Sequence, residues 1–140
     1  MTNEELLQEA KKARLHAYTP YSHFQVGAAL LTREGRLYHG CNIENAAYGP
    51  TNCAERTAFF KAVYEGERNF ARIAIAGAPE GEEADAVCAP CGVCRQVMME
   101  FCNSKEFKII LADGKGGVQE FSLEELLPYG FGPDNLSAGV

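Results

Sequence analysis

The chain has 140 residues, a formal net charge of -6 and a pI of about 5.1, so its average surface repels phosphate backbones and anionic lipid heads. With 46% hydrophobic and 23% charged residues it is neither a disordered chain nor a repeat, and its length suits one domain over residues 1–140 with a core that needs no disulfide staples. Polymeric nucleic acid and membranes are therefore not expected as partners: no stretch reaches membrane-spanning length, and the opening MTNEELLQEAKKARLHAY lacks the apolar core of a secretory signal, which points to the cytoplasm.

Residues 3–17 predict a helix. Asn3 can cap it, Glu4 and Glu5 suit its positive end, and Leu6, Leu7, Ala10, Ala13, Leu15 and Ala17 approximate an apolar face. FQVGAALLT reads as a buried strand, and the turn REGR leads into LYHGCNIE, so 24–33 and 36–43 predict an antiparallel hairpin. Gly49 and Pro50 close the next loop. A helix over 52–65 turns Ala58, Phe59, Ala62 and Val63 inward, and ARIAIAGA is the third strand. A loop rich in Glu, Gly and Ala runs to Pro90, after which CGVCRQVMMEFC is helical with Val97, Met98 and Phe101 facing the core. FKIILAD and VQEFS are strands four and five, separated by GKGG. The last short helix, SLEELL, opens with Ser122 and Glu125 at capping-box spacing. The order αββαβαββα predicts an α/β fold, a three-layer αβα sandwich around a five-stranded mixed sheet, with the two cysteine-bearing helices side by side on one face.

Six cysteines, at 41, 53, 88, 91, 94 and 102, point in a reducing compartment to metal binding or thiol chemistry. Cys91 and Cys94 form a Cys-x-x-Cys pair at a helix N-terminus, where thiol pKa values fall, and Cys53 lies in the first turn of another helix. Alone, the pair also suits a redox dithiol or two small core residues. With Cys53, three thiolates can meet on one zinc ion whose fourth position stays open for water, as in catalytic sites; with Cys88 added, the site becomes a closed, structural Cys₄ centre. Against the closed site, Cys88 lies on the far side of Ala89 and Pro90 from the helix, and four sulfurs would leave Glu55 without work.

Glu55 divides in the same way. Asn52 to Glu55 is capping-box spacing, yet a glutamate beside metal-activated water can take a proton and return it. Three thiolates leave a zinc site negatively charged, and Arg56, three residues after Cys53, or Arg95, next to Cys94, could balance that charge; each could equally be a solvated surface arginine. Cys41 and Cys102 suit small apolar spaces, and His16, His23 and His39 show no ligand spacing.

CAERTA followed by PCGVCRQ resembles the zinc-dependent nucleoside deaminases, in the C-x-E variant of their H-x-E…P-C-x-x-C signature. PYSHFQVGAAL, GCNIENAAYG and LLPYGF are similar to the small homotetrameric cytidine deaminases, so the resemblance runs from about residue 18 to residue 133. It implies one zinc per subunit on Cys53, Cys91 and Cys94, with Glu55 as proton shuttle. It further implies that Phe24 stacks on the base, Asn42 and Glu44 bind the ribose hydroxyls, the N–H of Ala54 meets the base carbonyl and the C=O of Ala89 meets the departing amino group. Phe131 and Tyr48 would reach across subunit boundaries.

Ala89 departs from the usual serine and Cys88 from an apolar residue. Without the resemblance, Phe24, Asn42 and Glu44 suit strand-edge and hairpin positions, and Phe131 suits local packing. The implied reaction, a hydrolase acting on a cyclic amidine, is deamination of cytidine and deoxycytidine by zinc-activated water, releasing uridine or deoxyuridine and ammonia, in pyrimidine salvage. The rivals are a blasticidin-type deaminase of another amino-heterocycle, a polynucleotide editor disfavoured by the acidic balance, and a non-catalytic Cys₄ zinc protein.

Overall fold

The computed structural model describes residues 1–137. Five strands form one mixed sheet in the order β2-β1-β3-β4-β5: β1 is Phe24–Thr32, β2 Leu37–Cys41, β3 Phe70–Pro79, β4 Lys108–Ala112 and β5 Val118–Ser122. β1 runs antiparallel to both β2 and β3, β3 pairs in parallel with β4, and β5 returns antiparallel. A parallel pair cannot be joined by a tight turn, and α3, Gly92–Phe101, supplies the crossover between β3 and β4.

Period-two alternation splits the core into two layers. Ala28, Leu30, Ile73, Ile75, Ile109 and Leu111 face α2, Ala54–Tyr64, and α3, where Phe59 meets Phe70 edge-on at 5.1 Å. Ala29, Ala74, Ala76 and Ile110 face the other way, against Leu6, Leu7 and Ala10 of α1, Asn3–Ala13. Helices on both faces make the three-layer αβα sandwich expected from the sequence.

The alanines and two glycines let the helices come close. A Cβ on Gly27 would lie 2.0 Å from the Ala10 carbonyl oxygen of α1, and one on Gly40 would lie 2.2 Å from that of Ala54 in α2. The hairpin is thus gripped from both faces. Gly40 in particular sets the seat of the first turn of α2.

Three local differences from the sequence expectations have physical causes. Thr2, not Asn3, caps α1, because Thr2 and Glu5 close a complete capping box. That helix stops at Ala13 rather than residue 17; Arg14–His16 form a 3₁₀ turn in which Arg14 is buried and Leu15 is exposed. The capping box of Ser122 and Glu125 opens α4, Leu123–Leu126, as expected. A further short helix, α5, Pro133–Ser137, was not expected: it is too short to show periodicity, and its approach is tied by the Gly132 N–H donating to Asn135 Oδ1 at 2.8 Å.

Candidate active site

Two helix N-termini meet beside the sheet. Cys53 is the N-cap of α2 and Cys91 the N-cap of α3, and neither spends its side chain on a capping hydrogen bond. Cys94 sits one turn into α3, buried. The Cys53–Cys91 sulfur separation is 3.8 Å and that of Cys91–Cys94 is 3.4 Å, and all three sulfurs lie within 4.8 Å of one another. Tetrahedral zinc with 2.3 Å bonds to sulfur requires sulfurs about 3.8 Å apart. The three cysteines fit one zinc ion.

The electrostatics favour thiolate at Cys53. Hydrogen bonding from Cys94, then from Arg56 and Cys91, brings its pKa down to about 5 against the desolvation that opposes it. Arg56 Nη2 donates to Cys53 Sγ at 3.2 Å. Arg95 is employed differently: its Nε donates to the Pro90 carbonyl and its Nη1 to the Leu126 carbonyl, both at 2.8 Å. Of the two arginines, only Arg56 is bonded to a cluster sulfur; Arg95 fastens the Cys91 loop to the end of α4.

Cys88 stands apart. Among the described residues the metal-competent cluster is Cys53, Cys91 and Cys94, without Cys88. Its sulfur lies 2.7 Å from where a Cβ on Gly77 would be, and burial pushes its thiol up to about 11. The closed Cys₄ arrangement is therefore not formed.

Glu55, in the first turn of α2, is 4% exposed. Its carboxyl is pushed up to about 7, chiefly by burial, with the negative charge of Cys53 adding to the shift. The capping box expected as its alternative duty is absent, because Cys53 is the cap and Asn52 Nδ2 donates instead to Thr57 Oγ1 at 3.1 Å. Glu55, Cys53, Ala54, Cys91, Ala89 and Asn42 share a cavity of about 180 Å³, walled further by Val26, Ile75, Thr51, Asn52 and Cys88.

The remaining expected residues are spread around this cavity. Glu44 accepts from the backbone N–H groups of Tyr21 and Ser22 at 3.0 and 3.1 Å and from the Ser22 hydroxyl. Bonding to Ser22 keeps its carboxyl below the usual range. It lines a second cleft with Tyr21, Ser22, Tyr48 and Thr51, and Thr51 belongs to both spaces, so the two adjoin. Asn42 bridges strand ends, accepting from the Val26 N–H and donating to the Phe24 carbonyl, both at 2.9 Å.

Phe24 lines neither space; its ring lies beside Gly77, next to Cys88. Tyr48 and Phe131 are 71% and 56% exposed in the isolated chain. Tyr48 meets Tyr21 edge-on at 5.9 Å, and the Phe131 carbonyl accepts from Gln96 Nε2 at 2.7 Å.

Residues 1–110 match the cytidine and deoxycytidylate deaminase zinc-binding region. The chain belongs to this deaminase family. A cytidine deaminase of Sporosarcina psychrophila is 52% identical over 137 residues, covering 98% of this chain and 96% of that one; another, of Halalkalibacterium halodurans, is 47% identical, covering 98% and 99%. Among solved structures, cytidine deaminase from Burkholderia pseudomallei superposes with a TM-score of 0.83 at 48% identity, covering 94% of this chain and all of that one. That of Mycobacterium tuberculosis gives 0.79 at 36% identity, covering 94% and 98%.

The cavity of this deaminase-family member is also lined by residues that the sequence did not single out. Val26 and Ile75 wall the cavity; alternation from Ala28 and Ile73 would have put them on the correct face, but not at its opening. Thr51 gave no signal beyond its place next to Asn52.

Proposed function

We propose that the protein deaminates cytidine, and deoxycytidine, hydrolytically to uridine or deoxyuridine and ammonia. The observation that carries this is a buried glutamate with a pKa of about 7 in the same cavity as two of three converging cysteine sulfurs. Similarity to cytidine deaminases over nearly the whole chain supports a nucleoside over another amino-heterocycle.

Cys53, Cys91 and Cys94 would hold zinc, which when bound supplies a Lewis acid that makes water nucleophilic near neutral pH. Glu55 takes a proton from the attacking water and delivers it to the ring N3, which makes C4 electrophilic as the water oxygen bonds to it; Glu55 then carries the remaining proton of that oxygen to the amino group, whose bond to C4 breaks to release ammonia and leave the C4 carbonyl. A carboxyl that titrates near neutrality can do both. Arg56 offsets the negative charge of the thiolates. The base carbonyl is held by the N–H of Ala54, the departing amino group by the C=O of Ala89, the base face by Phe24, and the ribose by Asn42 and Glu44.

The whole chain acts as one domain in a homotetramer, in which exposed Tyr48 and Phe131 each complete a neighbour's site. Its setting is pyrimidine salvage in the cytoplasm. Among the described residues no helix is long and apolar enough to cross a membrane.

The test is the ultraviolet absorbance change of cytidine with zinc-replete protein and with Glu55→Ala. Conversion by the first, and a loss of about 10²–10⁴ in rate in the second with zinc retained, is the expected result. Equal activity in both would remove Glu55 from the chemistry, and no conversion by the wild type would remove the substrate assignment.

A further inference from the structure

At the end of α1 the chain buries a full positive charge, and the hydrogen-bond partners of that charge are all backbone carbonyls. Arg14 is 5% exposed. Its Nε donates to the Gln25 carbonyl at 3.1 Å, its Nη2 to those of Ala78 at 2.8 Å and Pro79 at 3.0 Å, and its Nη1 to that of Glu82 at 3.0 Å. A guanidinium presents its donors as a rigid planar fork, so a single side chain can fix three segments relative to one another.

The location of the fork matters more than the number of bonds. Gln25 and Ala78 are register partners near the end of the β1/β3 ladder, one rung from its last pair, Phe24 and Pro79. Strand ends are where a sheet opens most easily. Gln25 stands between Phe24 and Val26, and Val26 walls the cavity. Ala78 follows Gly77, against which the Cys88 sulfur and the Phe24 ring rest, and Cys88 walls the cavity as well. Arg14 extends from α1, whose core lies on one face of the sheet, whereas Val26 packs with the core on the other. Gly27 makes this reach possible, since a Cβ there would lie 2.3 Å from the Arg14 backbone nitrogen.

We propose that Arg14 is a positioning residue for nucleoside binding, clamping the β1/β3 end from behind so that the cavity wall of Val26 and Cys88, with the Phe24 ring beside Cys88, keeps the shape that the base meets. This rests on the cytidine assignment above. Cys53 caps α2, which carries Glu55, and Cys91 caps α3, which carries Cys94, and the Arg14 guanidinium hydrogen-bonds to neither helix. Loss of the clamp should therefore loosen substrate binding while leaving the chemical step in place.

The experiment compares wild type, Arg14→Met and Arg14→Lys as full-length zinc-loaded proteins. Turnover of cytidine, calorimetric binding of uridine, zinc content and thermal midpoint are measured for each. Arg14→Met should raise KM for cytidine and Kd for uridine together, by about tenfold or more, with kcat within about threefold of wild type and one zinc per chain. Arg14→Lys, which keeps the charge but not the fork, should fall between, and it carries the test if the methionine variant does not fold.

Unchanged KM and Kd beside a lowered thermal midpoint would make Arg14 merely structural and overturn the proposal. Loss of kcat and zinc at constant KM would overturn it too. A wild type that leaves cytidine unconverted would sink the substrate assignment and this inference with it, whereas an active wild type with Arg14 variants of unaltered KM sinks this inference alone.

Discussion

Arg56 Nη2 lies 3.2 Å from Cys53 Sγ, three residues along the helix that Cys53 caps, while Arg56 Nε is buried without a partner. Replacing the guanidinium with an amide should raise the pH at which Cys53 becomes thiolate. In the folded, metal-free protein that pH is about 5, against an ordinary thiol value of 9.0. The stability this contributes is fully present above about pH 9 and is lost as pH falls through about 5. Arg56→Gln should move that loss upward and make zinc easier to remove in mild acid. Zinc retained against a chelator, followed over pH for both proteins, checks this; superimposable curves would refute it.

Glu55 carries the opposite sign. Its carboxyl is held up at about 7 by burial, whereas in the unfolded chain it takes its ordinary value of 4.5. Between the two the folded state binds more protons, so the contribution is fully present below 4.5 and lost as pH rises through 7. Metal-free Glu55→Gln, which cannot ionise, should therefore gain on metal-free wild type in thermal midpoint as pH rises from about 5 to about 8. A gap between the two that does not vary with pH would contradict the burial of this charge.

Gly40 has no chemistry of its own and should nevertheless be sensitive. A methyl group there would meet the Ala54 carbonyl and the Ala58 nitrogen at 2.2 and 2.6 Å, both backbone atoms of α2. Gly40→Ala should cost about 1–3 kcal/mol by overpacking, read from urea unfolding, and should weaken zinc binding because Cys53 and Glu55 move with that turn. Unaltered zinc affinity would mean that the α2 N-terminus can shift without disturbing the cluster.

Cys88 and Cys53 should separate cleanly in metal analysis. Cys88→Ala should retain one zinc per chain, whereas Cys53→Ala should lose zinc and, because the ion ties α2 to α3, stability as well. Zinc lost from Cys88→Ala would restore the four-cysteine site.

Much of the architecture was legible because the central strands are short apolar runs bounded by turn residues and because α1 and α3 keep an apolar stripe. The ligand set was legible because three cysteines sit at two helix starts. What sequence could not supply was the choice between two duties for one residue. Asn52 and Glu55 have capping-box spacing, but Cys53 takes the cap position and burial turns Glu55 into the cavity. Spacing put Arg56 on the side of Cys53 and Arg95 next to Cys94, and only the fold shows that Arg95 is spent on the Pro90 and Leu126 carbonyls. Arg14, which the sequence did not single out, is buried where Gly27 lets α1 press against β1, a contact between residues with no periodic signature.

β3 runs between the halves of the metal cluster in sequence and lies between β1 and β4 in the sheet. A growing polypeptide that has just released Cys53 from the ribosome holds a single thiol at a helix start, and Cys91 follows 38 residues later. By then all of β3 has been synthesised, and its pairing with β1 is what brings the two helix starts together. Capture of the ion thus depends on assembly: a chain truncated before Cys91, or one whose third strand is misplaced, lacks the three-sulfur grip.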